Sequence, residues 1–84
     1  MERTEITTAL KMIIKPYVKD ENAFETLNEK TDFLTDLKIN SANLVDIILD
    51  IEERFGIVID NESMEKMLTV QAALNIVEIK LAEK

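Results

Sequence analysis

The chain has 84 residues, 17 acidic against 10 basic, a formal net charge of −7, and neither Cys nor His. Those counts exclude disulfide stapling, thiolate or imidazole metal ligation, and Cys- or His-based catalysis, and they argue against binding a nucleic-acid backbone. A chain of this length makes one domain, residues 1–84. With 46% hydrophobic residues, one Gly and one Pro, it must fold by local, helical packing rather than as a turn-rich sheet.

Ile6, Leu10, Ile13 and Tyr17 recur at steps of four, three and four and predict a first helix over about residues 4–17, kinked or stopped at Pro16. Residues 19–40 show no sustained period. Asn22, followed three residues later by Glu25, can start a short turn. Phe24, Leu27, Phe33, Leu34 and Leu37 read as anchors of a long loop pinned onto a core. A loop of roughly 20 residues tends to be functional.

Residues 41–55 form the second principal helix, for which Asn40 and Ser41 are both suitable N-caps. At 100° per residue, Leu44, Ile47, Ile48, Ile51 and Phe55 fall within about 100° of arc and define a core face. Asp46, Asp50 and Glu53 lie opposite, beside a narrower apolar stripe of Ala42, Val45 and Leu49. Gly56 stands where a helix ends. Residues 60–67 read as one or two turns of short helix. Thr69 caps the last helix, whose apolar positions are Val70, Ala73, Leu74, Val77 and Leu81. The predicted fold is all-α: a small four-helix bundle of three principal helices and one short one, with a long loop between the first two.

No apolar run approaches the roughly 20 residues of a membrane span. The opening Met1-Glu2-Arg3-Thr4-Glu5 carries no secretory signal, so a cytoplasmic, monomeric protein is expected. Most of the negative charge is central: residues 46–65 hold seven acids and Arg54. Such a block either keeps a surface solvated or docks basic partners. The acids lie on helix faces rather than in a cleft, and Asp60-Asn61-Glu62 lacks calcium-loop spacing, so neither an enzyme nor a metal site is expected. Ser41, at the junction of loop and helix, is either an N-cap or an exposed hydroxyl beside a positive dipole end, well placed for a phosphate ester.

The stretch Asp36-Leu37-Lys38-Ile39-Asn40-Ser41-Ala42, continuing from Leu44 to Glu52-Glu53-Arg54-Phe55-Gly56, resembles the acyl carrier protein family over essentially the whole chain. The family pattern of Asp-Leu, two residues, then Asp-Ser-Leu is met with Asn40 for Asp and Ala42 for Leu. The segment Thr69-Val70-Gln71-Ala72-Ala73-Leu74 is similar to the start of the family's last helix. The resemblance implies that a phosphopantetheinyl transferase moves 4′-phosphopantetheine from coenzyme A to Ser41. The arm's thiol then carries acyl intermediates as thioesters in fatty-acid, polyketide or related lipid synthesis. It implies docking through Ala42, Val45, Asp46, Leu49, Asp50, Glu52 and Glu53 onto acyl-processing enzymes with basic surfaces. Ile48, Ile51, Phe55, Met67 and Leu74 are candidates to line an acyl pocket and equally read as ordinary core. The alternatives are another cargo, such as an aminoacyl group, and an unmodified adaptor whose acidic helix binds basic partners.

Overall fold

A computed structural model describes residues 2–83; Met1 of the N-terminal stretch and the charge of Lys84 lie outside it. Helix α1 (Arg3–Ile14) buries Ile6, Ala9, Leu10 and Ile14. It ends earlier than its apolar period predicts, and Lys15–Tyr17 continue as a single 3₁₀ turn with Pro16 near its start. Proline has no N–H for the next α-helical bond, and the tighter turn absorbs the loss.

The loop that follows contains a helix the sequence reading did not assign. Helix α2 (Glu21–Glu25) begins at Asp20, whose carboxylate accepts the Ala23 N–H at 3.1 Å. At one turn and a half it is too short to show a period, so its cap, one turn upstream of Phe24, is the signal it carries. Asp20, not Asn22, is that cap. The remainder is pinned as expected, with Phe33 1% and Leu37 0% exposed, joined by Ile39. It is also stitched to the start of the last helix. Phe33 N–H donates to the Leu68 carbonyl at 2.9 Å, Val70 N–H to the Thr31 carbonyl at 3.0 Å, and Asp32 pairs with Thr69 in an isolated antiparallel bridge. Side chains complete the stitching. The Thr31 hydroxyl, on a buried residue, accepts from Asn28 N–H, and Asp32 takes the N–H groups of Leu34 and Thr35.

Helix α3 (Ser41–Phe55) has the predicted bounds and buries the predicted face, Leu44, Ile47, Ile48, Ile51 and Phe55. Gly56 closes it in the left-handed conformation at φ 63°, where a Cβ is costly. Residues 57–59 then alternate: Ile57 and Ile59 turn inward while Val58 is 79% exposed. Helix α4 (Asn61–Lys66) buries no residue. Helix α5 (Val70–Glu83) buries Val70, Ala73, Leu74, Ile76 and Val77, and Thr69 caps it by accepting the Ala72 N–H at 3.1 Å. The bundle thus holds five helices among the described residues, one more than predicted.

One continuous core joins α1, α3, α5 and the loop. Full burial of an aliphatic or aromatic side chain contributes about 1.5–3 kcal/mol, so packing must carry a fold with no covalent staple. The radius of gyration, 11.7 Å, matches the roughly 12 Å of a packed chain this long, which requires the loop to lie folded into the body. Arg3 adds a polar clasp: its guanidinium meets Glu29 of the loop at 2.9 Å, Glu78 of α5, and the Asn75 amide oxygen at 3.2 Å. No helix among the described residues is long and apolar enough to cross a membrane.

Candidate functional site

The first turn of α3 decides between the two roles open to Ser41. Asn40 sits in extended backbone (φ −67°, ψ 140°), and its side-chain oxygen accepts the Ala42 N–H at 2.9 Å. Asn40 is therefore the cap. Ser41 becomes the first helical residue, exposed, with a hydroxyl that has no hydrogen-bond partner among the described residues. No acid occupies this first turn. A phosphate ester on Ser41 would face the unsatisfied N–H groups of a 15-residue helix with no carboxylate of that turn opposing it. An exposed, unengaged hydroxyl in a locally positive setting fits the attachment of a phosphodiester.

The segment leading to Ser41 carries backbone strain. Lys38 is held at φ 59°, in the left-handed region, while the next residue, Ile39, is buried and donates its N–H to the Phe33 carbonyl at 3.0 Å. An L-residue there costs roughly 1–2 kcal/mol that Gly avoids, against about 0.5–1 kcal/mol for glycine's greater freedom when unfolded. Lys38→Gly is accordingly expected to stabilise the protein by about 0.5–1 kcal/mol in a urea titration. A loss of stability would show that the lysine side chain outweighs its backbone.

Along α3, Ala42, Val45, Asp46, Leu49 and Glu53 are exposed, with Val45 at 46% and Leu49 at 51%. Apolar stripe and acids thus share one open face, as the helix angles predict. Asp50 is half-buried, and the Tyr17 hydroxyl approaches its carboxylate at 3.5 Å. Partial burial first, then the charges of Asp50 and Asp46, hold the Tyr17 phenol above its usual range, so it stays a neutral donor. Tyr17, the last position of the apolar period of the first helix, is half-buried against the core and reaches the rim with its hydroxyl.

Glu52 stands apart from the exposed acids. Its carboxylate accepts the Ile59 N–H at 2.7 Å, and its carbonyl accepts from Gly56 and Ile57. It holds the turn after α3 rather than extending the open face. The pocket candidates Ile48, Ile51, Phe55, Met67 and Leu74 all lie in the core, each buried.

The phosphopantetheine attachment site family matches residues 14–77. The chain is 34% identical to an acyl carrier protein of Coprothermobacter proteolyticus, over the whole of both chains. It is 33% identical to one of Thermotoga maritima, over 94% of this chain and 95% of that one. The crystal structure of acyl carrier protein from Thermotoga maritima superposes with a TM-score of 0.80 at 28% identity, covering 99% of this chain and 94% of that one.

Proposed function

The chain belongs to the acyl carrier protein family, and on that premise we propose that Ser41 is where its prosthetic arm is attached. The family carries 4′-phosphopantetheine covalently and works as a carrier, not an enzyme. The arm supplies a thiol on which acyl groups ride as thioesters, with fatty-acid synthesis the usual setting. The observation that carries the Ser41 reading is its free hydroxyl at the first position of α3, left open because Asn40 does the capping.

In the attachment step the Ser41 oxygen forms a bond to the phosphorus of coenzyme A that bears the pantetheine. The bond from that phosphorus to the adenosine bisphosphate breaks, and the serine proton passes to a base of the transferase. The test is the intact mass of the protein incubated with coenzyme A and a phosphopantetheinyl transferase, with the modified peptide identified by fragmentation. One added arm on the Ser41 peptide is expected. An unchanged mass would favour the unmodified adaptor, and an arm bearing an aminoacyl group in cells would favour the other cargo.

The open face of α3 suits partners with basic surfaces, the transferase and acyl-processing enzymes, with Asp46, Asp50 and Glu53 steering encounter and Ala42, Val45 and Leu49 in contact. Glu53→Lys is expected to slow association several-fold and to flatten its dependence on salt, because exposed charges act mainly on the encounter rate. Its stability should stay within about 0.5 kcal/mol of the parent. Transferase kinetics identical to the parent's at every ionic strength would remove Glu53 from the docking face. Glu53 is a cleaner probe than Asp50, which also answers to Tyr17. The reading extends to a single domain over residues 1–84, a monomer and a cytoplasmic setting. The buried cluster of Ile48, Ile51, Phe55, Met67 and Leu74 is the region that would have to part to shelter an acyl chain.

A further inference from the structure

The loop that joins α2 to α3 borders an open, mostly polar crevice of about 380 Å³, lined by Ala23 and Thr26 on one side and by Thr31, Thr35 and Lys38 from the loop. Lys38 and Asp20 also line an adjoining crevice of about 620 Å³. Most polar groups of the first crevice are engaged. The Asp20 carboxylate accepts from Ala23 N–H, that of Asp36 from Asp32 N–H, and the Thr26 hydroxyl donates to the Asn22 carbonyl. Two are not: the Thr35 hydroxyl and the Lys38 ammonium have neither a hydrogen-bond nor an ion-pair partner among the described residues. Lys38 is also the residue held in the left-handed conformation. It lies three residues before Ser41, a separation that spans at most about 11 Å of chain.

We propose that this crevice is the resting berth of the unloaded arm on Ser41, with the phosphodiester against the Lys38 ammonium and the arm's amide and hydroxyl groups along Thr26 and Thr35. The inference rests on the reading of Ser41 as the attachment point. The chemistry on both sides agrees. A pantetheine chain carries two amides and a hydroxyl, which are costly to bury against apolar walls and are satisfied here by the Thr35 hydroxyl, by the remaining lone pair of the Thr26 hydroxyl and by carboxylate lone pairs. The volume falls within the roughly 300–1,000 Å³ of small-molecule sites. Ala23 offers an apolar patch for the arm's paired methyl groups, and the Lys38 charge offsets the phosphate beside the Asp20 and Asp36 carboxylates.

The test uses the full chain, labelled with ¹³C and ¹⁵N and converted from apo to holo with unlabelled coenzyme A and a phosphopantetheinyl transferase, conversion being checked by intact mass. Isotope-filtered NOEs are expected from the arm's methyl protons to the methyls of Ala23, Thr26 or Thr35, with conversion-dependent amide shifts at residues 26, 35 and 38. Lys38→Gly keeps the left-handed backbone and removes the ammonium. It is expected to take up the arm and to lose at least half of the shifts at residues 26 and 35. Complete conversion with no NOE to residues 23–38 and shifts confined to α3 and beyond would overturn the berth. Undiminished shifts in Lys38→Gly would overturn the role of the lysine. A mass that does not change would overturn the Ser41 reading itself, and the berth with it.

Discussion

Ser41→Ala is expected to take up no phosphopantetheine under conditions where the parent chain is fully converted, read by intact mass, and to remain as stable as the parent to within about 0.5 kcal/mol. Both halves follow from the first turn of α3. The substitution removes the one nucleophilic oxygen at that position and leaves the cap on Asn40 intact. Asn40→Ala should behave the other way round, losing about 1 kcal/mol with its hydroxyl neighbour still present. Ser63, the other serine of the chain, sits in α4. An arm found on Ser41→Ala would move the attachment point there. A Ser41→Ala protein that loses 1 kcal/mol or more would show that the serine does cap the helix.

Phe33→Ala is expected to destabilise the protein by about 3–5 kcal/mol, the cost of removing a large buried ring and leaving a cavity. A chain of this size has a total stability of roughly 4–13 kcal/mol, so the variant should unfold at a urea concentration lower by 1 M or more. Phe33 belongs to what is nominally a loop, yet it is 1% exposed, and its N–H bonds the Leu68 carbonyl at the threshold of α5. Truncation would loosen both the loop and the seam it makes with α5. A loss below 1 kcal/mol would mean that the loop rests on a core complete without it.

The long elements were legible because burial imposes a period on them. Leu44, Ile47, Ile48, Ile51 and Phe55 repeat for about three turns, and α3 has the bounds that pattern and Gly56 predict. The loop was legible only as a set of anchors. Phe33 and Leu37 are buried as read, but α2 spans five residues, fewer than two turns, and its start rests on one aspartate. The bonds that join residues 31–33 to 68–70 are between backbone groups, which any sequence can make, and so they leave no mark in residue type. In the site, sequence placed Ser41 at the helix start but could not choose between two adjacent capping side chains; the choice depends on which one has extended backbone. Glu52 looked like its neighbour Glu53, yet the two are 100° apart on the helix, enough to send one carboxylate to Ile59 and leave the other in solvent. The strain at Lys38 was invisible, since nothing about a lysine announces a positive φ.

The grip of Glu52 on Ile59 has a bearing on how the molecule breathes. A segment whose amides are tied to a rigid helix travels with that helix, so residues 56–59 behave as an extension of α3. On the far side of α4, the Leu68 carbonyl is fastened to Phe33. Between these two moorings hang the six residues of α4, with no buried side chain, its Asp60 end tethered to Lys80 at 3.4 Å. The compliance of this half of the bundle is thereby concentrated in one short span. In a native-state hydrogen-exchange experiment the amides of residues 64–66 should open well before those of Ile59 and Val70, through local events far below the cost of global unfolding. A carrier built this way can yield beside its core without surrendering the helix that bears its serine.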